Sequence, residues 1–325
     1  MGEFDLIRRF FQRPVHRAAL GVGDDCALLA PAPGMQLAVS SDMLLEGRHF
    51  FADVDPAALG HKALAVNLSD LAACGAKPLA FTLALALPRA DAAWLQPFAA
   101  GLLALADAHG CELVGGDTTG GPLNICITVF GEVPAGQALL RSGAQPGDEL
   151  WASGTLGDAR LALEALQGRI ALAPDVLAAT RERLERPTPR VALGLALRGV
   201  ATSAIDLSDG LLGDLGHILA ASGVGACIDL PIAMQLIAFG LGETSAEARF
   251  DAELLRQCVL AGGDDYELAF TAPPAQRSAV EAAGRQCGTP VTRIGRIEAG
   301  SGLRLLDGAG RELPAQRWAS FDHFA

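Results

Sequence analysis

Lysine is nearly missing from this chain of 325 residues. Lys62 and Lys77 are the two; neither is preceded by Gly or followed by Ser or Thr, so the Gly-Lys-Ser/Thr ending of a phosphate-binding P-loop is absent. A formal charge of −12 and a pI near 4.9 leave little with which to hold nucleic acid or an anionic membrane, both of which demand a basic surface. The seven cysteines are odd in number and include no C-x-x-C pair, which points to reduced, packed thiols rather than a disulfide framework. G-x-S-x-G, H-E-x-x-H and G-x-G-x-x-G are all lacking, which sets aside nucleophile-elbow hydrolases, zincins and dinucleotide-binding Rossmann folds. The strongest apolar run, residues 79–87, falls far short of the ~20 residues that span a bilayer. The start, Met-Gly-Glu-Phe-Asp, is acidic where a secretory leader is basic, and Leu6 breaks the myristoylation pattern that Gly2 opens. The expectation is a soluble, cytoplasmic protein with neither nucleic acid nor membrane as partner, in which any phosphate is held by metal, arginine and backbone amides.

What the chain does have is acid in small-residue settings. Asp25 ends Gly-Val-Gly-Asp-Asp, Asp42 ends Val-Ser-Ser-Asp, Asp70 ends Asn-Leu-Ser-Asp, and Asp117 follows two glycines. Asp206 and Asp209 share Ile-Asp-Leu-Ser-Asp-Gly, and Asp264 stands in Gly-Gly-Asp-Asp. One such Asp is an ordinary turn or helix cap. Six motifs with adjacent pairs are not, because carboxylates this close repel and lose hydration unless a cation joins them. With no His or Cys at ligand spacing, hard oxygen donors select Mg²⁺ over zinc or copper, and Mg²⁺ fills its remaining positions with water and phosphate oxygens. The motifs therefore predict an enzyme that moves a phosphoryl group. Asp214, Asp229, Asp251 and Glu247 lack the small-residue setting and are read as solvated.

Half of the residues are hydrophobic, enough for two cores. Helical patterns are expected at 3–12, 56–74, 92–108, from after Gly157 to about Gln167, in segments interrupted by Pro187 and Pro189, and at 211–221 and 276–287. Strands are expected at 37–41, 81–87, 112–114, 124–133, 149–152, 201–207, 226–230, 266–271 and 291–297. Strand and helix alternate as in an α/β layer. A Pro- and Gly-rich stretch begins at Pro134, which sets the domain boundary: residues 1–133 and 134–325.

The segments Gly21-Val-Gly-Asp-Asp-Cys-Ala27, Val66-Asn-Leu-Ser-Asp-Leu-Ala-Ala-Cys-Gly-Ala76, Gly115-Gly-Asp-Thr-Thr119, Arg141-Ser-Gly-Ala-Gln-Pro-Gly-Asp148, Ser203-Ala-Ile-Asp-Leu-Ser-Asp-Gly210 and the terminal Asp322-His-Phe324 occur in the order found in thiamine-monophosphate kinases. The chain resembles that family from its first helix to its end. The resemblance implies the two-domain α/β fold of aminoimidazole ribonucleotide synthetase, with the N-terminal strands building a dimeric β-barrel and an α/β domain following. It also implies ATP-dependent phosphorylation of thiamine monophosphate to thiamine diphosphate with release of ADP, the last step in making that cofactor, by a homodimer. On this resemblance Asp25, Ser40, Ser41, Asp42, Asp70, Asp117, Asp206 and Asp209 would hold several Mg²⁺ ions. Gly116, Asp117, Arg141 and Ser208 would contact ATP, and His49, Asp264 and Phe321 would lie at the thiamine end. Transfer would be in line and metal-assisted, without a classical acid or base. Three residues depart from the family pattern: Ser41 where Thr is common, Asp264 where Glu is common, and Ser320 where Gly is usual. His109 is the candidate for the adenine contact. Selenophosphate synthetases are set aside because residues 1–20 hold neither Cys nor Lys, and the hydrogenase-maturation relative because the chain ends Asp-His-Phe-Ala. A non-catalytic protein that binds Mg-nucleotide or thiamine phosphate is the rival of another class.

Overall fold

A computed structural model describes residues 2–23, 25–238 and 250–318. Phe321 and Ser320 lie outside the described residues. The chain divides into two compact units, residues 1–71 with 76–138 and residues 72–75 with 139–325.

The first unit runs α1 (Glu3–Phe10), β1 (Met35–Leu45), α2 (Pro56–Ala73), β2 (Lys77–Leu87), α3 (Ala92–His109), β3 (Glu112–Gly120) and β4 (Asn124–Pro134). α3 starts where the Asp91 carboxylate accepts from the Ala93 amide and stops at Gly110, whose left-handed backbone ends it. Its Leu95, Phe98, Leu102 and Leu105 recur every three or four residues and are buried. The four strands lie in the order β1-β4-β2-β3; β2 and β3 run parallel, with α3 as their crossover, and the other pairs are antiparallel. β4 alternates cleanly, with Ile125, Ile127, Val129, Gly131 and Val133 buried under α2, where Leu71 meets Gly131. The opposite face of β1 is open and apolar: Leu37, Val39, Met43 and Leu45 are 36–56% exposed. Among the described residues this sheet does not close on itself; β1 and β3 are its end strands.

The second unit holds β5 (Glu149–Ser153), α4 (Asp158–Leu166), α5 (Pro174–Glu185), α6 (Val191–Leu197), β6 (Ser203–Asp206), α7 (Leu211–Ser222), β7 (Gly225–Asp229), α8 (Leu230–Ala233), α9 (Ala252–Ala261), β8 (Leu268–Ala272), α10 (Arg277–Gln286), β9 (Val291–Glu298), β10 (Gly302–Leu306) and β11 (Glu312–Leu313). One seven-stranded sheet runs β11-β10-β7-β9-β5-β8-β6, antiparallel except for β10 against β7. β5 and β8 are buried along their whole length, so their sequences read as continuous rather than alternating apolar runs. α8, α9, β10 and β11 were not expected from the sequence; β10 and β11 are short, with Gly302 and Glu312 exposed and Leu305 buried. No helix among the described residues is long and apolar enough to cross a membrane.

Candidate functional site

In the first unit Asp70 and Asn67 stand one turn apart on α2 and both reach β1. The Ser40 hydroxyl donates to Asp70 Oδ2 at 2.5 Å, and Asn67 Oδ1 accepts from the Asp42 amide at 3.1 Å while its Nδ2 donates to the Ala63 carbonyl. Asn67 is buried, and these bonds satisfy an amide that would otherwise be costly in an apolar helix. Ser40 and Asp42 share a strand face by the two-residue repeat. Ser41 therefore points the other way, and its hydroxyl lies 3.0 Å from Thr128 Oγ1 and donates to the Ile127 carbonyl. The Ser41 side chain is not brought to Asp70. Asp42 lies within β1 and Asp117 within β3, where turns had been expected, because both strands run on past the acids.

Asp25, Gly116 and Asp117 line one cavity of about 1020 Å³. Its other walls mix apolar side chains, Phe4 and Ile7 of α1, Phe11 just after it, Leu37 and Phe130, with polar ones, among them Glu3, Arg8, Gln12 and Thr82. The acid loop that supplies Asp25 is closed at its base by the Leu28 amide, which donates to the Leu20 carbonyl at 3.0 Å, and by the Ala19 amide, which donates to the Leu28 carbonyl at 2.9 Å. Gly116 has φ +142°, and a Cβ there would sit 1.9 Å from the Leu83 carbonyl oxygen, so only glycine lets β3 pass this close to β2. The sequence reading missed the apolar walls, although the amphipathic repeat of α1 carried the signal. His109 ends α3 and is not among the lining residues. His49 sits in the loop after β1, where its Nδ1 accepts from the Leu45 amide at 3.0 Å, a bond that orients the ring. The buried Lys62 donates to the His49 carbonyl at 3.2 Å.

In the second unit two loops are stitched together beyond the β6–β8 ladder. Leu207 donates to the Glu267 carbonyl, Tyr266 to the Leu207 carbonyl, and Asp264 to the Ser208 carbonyl, at 2.8, 2.8 and 2.9 Å. Asp206, Ser208, Asp209 and Asp264 are thus brought to one edge of this unit. Asp264 has φ +68°, a left-handed backbone that Asp tolerates better than Glu, which gives the departure from the family pattern a physical reason. Arg141 is exposed in a loop pinned on both sides: the adjacent Leu140 carbonyl accepts from Ala204 of β6, and the Ser222 hydroxyl donates to the Arg141 carbonyl.

Asp214 overturns the expectation of a solvated side chain. It is buried, because its Oδ2 accepts from the amides of Asp209 and Gly210 at 3.1 Å and so caps the start of α7. Burial pushes its carboxyl up to about 7. Asp229 and Asp251 are exposed, as expected, and cap α8 and α9.

The donors on these elements are carboxylates and hydroxyls, the set that suits Mg²⁺. Among the described residues no three His, Cys, Asp or Glu side chains converge into a ready-made metal cage.

Sheet order, paired domains and acid loops define a class, the AIR synthase related proteins. The family model for the N-terminal domain of that class matches residues 23–133 and the C-terminal model matches residues 145–308. Within it, the chain belongs to the thiamine-monophosphate kinase family. It is 47% identical to the thiamine-monophosphate kinase of Salmonella typhimurium over 100% of this chain and 98% of that protein. The crystal structure of the thiamine-monophosphate kinase from Stenotrophomonas maltophilia is 47% identical, with a TM-score of 0.82 over 93% of this chain and 94% of that one. The structure described as AaThiL complexed with AMPPCP and TMP has a TM-score of 0.76 at 29% identity, over 91% of this chain and 89% of that one.

Proposed function

We propose that the chain transfers the γ-phosphoryl group of ATP to the phosphate of thiamine monophosphate, giving thiamine diphosphate and ADP, the last step in making that cofactor. Its full-length kinship with kinases of this name, one solved with AMPPCP and TMP, carries the reading. Asp25, Ser40, Asp42, Asp70 and Asp117 of the first unit, with Asp206 and Asp209 of the second, would hold Mg²⁺; Ser41 would contribute through its backbone, since its side chain faces away. Bound Mg²⁺ neutralises the facing phosphates and aligns them for in-line displacement. The acceptor is already an ionised phosphate oxygen, so the chain needs no strong general base, and no activated Ser, Cys or His is required of it. The cavity under α1 suits a nucleotide, its apolar wall against the base and Gly116 and Asp117 toward the phosphates. Arg141 would add a charge-assisted contact to ATP, with the amides around Ser208 beside it. His49, Asp264 and Phe321 would meet the thiamine end, where the cationic thiazolium favours a carboxylate and an aromatic face.

The open apolar face of β1 supports a homodimer in which two four-stranded sheets pack face to face into a barrel. Seven free thiols support a cytoplasmic location. The test is ADP release, measured with thiamine, thiamine monophosphate and an aminoimidazole ribonucleotide precursor as acceptors. Release with thiamine monophosphate and formation of thiamine diphosphate are expected. Release with the imidazole precursor alone, or ligand binding without turnover, would overturn the proposal.

A further inference from the structure

The loop that carries Asp264 holds two residues in left-handed backbone without being glycine, Asp264 at φ +68° and Tyr266 at φ +50°. Such strain persists only where the surroundings over-determine it. Beneath the loop, Glu267 is fully buried, and each of its oxygens is doubly engaged. Oε1 accepts from Arg183 Nη2 at 2.9 Å and from Arg190 Nη2; Oε2 accepts from Arg190 Nε and from the Ser153 hydroxyl, both at 2.6 Å. The same Arg183 Nη2 lies 3.3 Å from the carbonyls of Thr155 and Asp265, so one guanidinium ties the turn after β5 to the middle of the strained segment and, through Glu267, to the residue that follows it. The Asp265 carboxylate accepts from the Gly157 amide at 3.0 Å through both oxygens. Gly154 leaves the room that Glu267 occupies, since a Cβ there would fall 2.0 Å from Oε1. Four stretches of the second unit, 153–157, 183–190, 206–210 and 263–267, are thereby locked to one another, and Asp264 lies with Ser208 and Asp209 at their partly exposed edge.

We propose that Arg183, through Glu267 and the Asp265 carbonyl, is a positioning residue for the acceptor: it holds the left-handed turn that presents Asp264. The inference rests on the reading that Asp264 meets thiamine monophosphate. The long guanidinium side chain brings one nitrogen, Nη2, to Thr155, Asp265 and Glu267 together, whereas the shorter lysine keeps a charge beside Glu267 and does not reach all three. Arg183→Lys therefore loosens the turn without leaving Glu267 buried and unpaired.

The experiment is a double-mutant cycle of Arg183→Lys and Asp264→Ala on the full-length chain, with kcat and KM for both substrates and a melting curve for each variant. Arg183→Lys is expected to raise the KM for thiamine monophosphate about tenfold, in keeping with the steep effect of small misplacements, while the KM for ATP stays within about twofold. In the Asp264→Ala background Arg183→Lys is expected to add nothing. If Arg183→Lys does not fold, Arg190→Lys, which keeps charge on the other side of Glu267, is read in the same way. Additive effects of the two substitutions, an equal rise in both KM values, or a fall in melting temperature with unchanged KM would each overturn the inference. If Asp264→Ala alone leaves the KM for thiamine monophosphate unchanged, the placement of Asp264 at the acceptor fails and the inference falls with it. If it raises that KM and the cycle is additive, only the inference fails.

Discussion

A carboxylate that ends an Asn-Leu-Ser-Asp segment inside an apolar helix needs a reason to be there, and at Asp70 the reason is legible in its neighbours. Its contact with the Ser40 hydroxyl brings helix and strand together at an oxygen-rich point. Asp70→Asn preserves shape and removes charge, so kcat should fall by about two to three orders of magnitude, the usual size of a lost electrostatic contact. The melting temperature should stay within a few degrees. A folded variant within threefold of the parent kcat would mean that Asp70 merely fastens α2 to β1. Asp214 works differently, since its carboxylate accepts from the backbone amides that open α7. Asp214→Ala leaves those amides unpaired and should destabilise the protein by about 1–3 kcal/mol, read from urea denaturation. Asp214→Asn, which still offers an oxygen, should lose less than half of that.

Among the elements, β1 is the one whose two faces have opposite fates. Ser40, Asp42 and the buried Leu44 face the α2 side, while Leu37, Val39, Met43 and Leu45 present an apolar row to the outside. Val39→Asp with Met43→Asp should convert a dimer to a monomer in light scattering at micromolar concentration, because two carboxylates cannot be buried unpaired in an apolar interface. An unchanged mass would remove this face from the assembly. The same strand shows what sequence can and cannot disclose. Asp25, Asp70 and Asp117 stood out as candidates through their small neighbours, and the alternation of β4 was plain. Nothing in the residues around Asp42 or Asp117 marked where the strands would end, since Gly, Ser and Thr suit both a turn and an edge. Asp214 was misjudged because its partners are backbone amides, which every residue carries alike. Arg183 and Arg190 were not singled out because their partner Glu267 is close to eighty positions away in the chain and meets them only in the fold.

At the scale of the whole molecule, ligand and stability are linked. If Mg²⁺ and nucleotide act as a pair, a non-hydrolysable ATP analogue at about a hundred times its dissociation constant should stabilise the protein by about 2.7 kcal/mol. In a chain of this size that is a melting shift of several degrees, and excess EDTA should abolish it. A shift that survives chelation would separate nucleotide binding from the metal. Thiol chemistry offers an independent check on the packing. Cys26 is exposed, whereas burial pushes Cys111 and Cys258 up to about 12. Because the thiolate is the nucleophile, iodoacetamide at neutral pH should mark Cys26 first and leave Cys111 and Cys258 unmodified until denaturant is added, as mass spectrometry of peptides would reveal.

The buried Lys62 has a further consequence. With its ammonium engaged at the His49 carbonyl and its stem enclosed, it is withdrawn from amine chemistry, and the exposed Lys77 at the start of β2 is left as the sole accessible side-chain amine. Apart from the α-amino group, an amine-reactive dye or a surface-coupling ester meets a single address on the folded protein. The shortage of lysine therefore supplies a ready-made attachment point for tethering this protein in one orientation, with no residue added or removed.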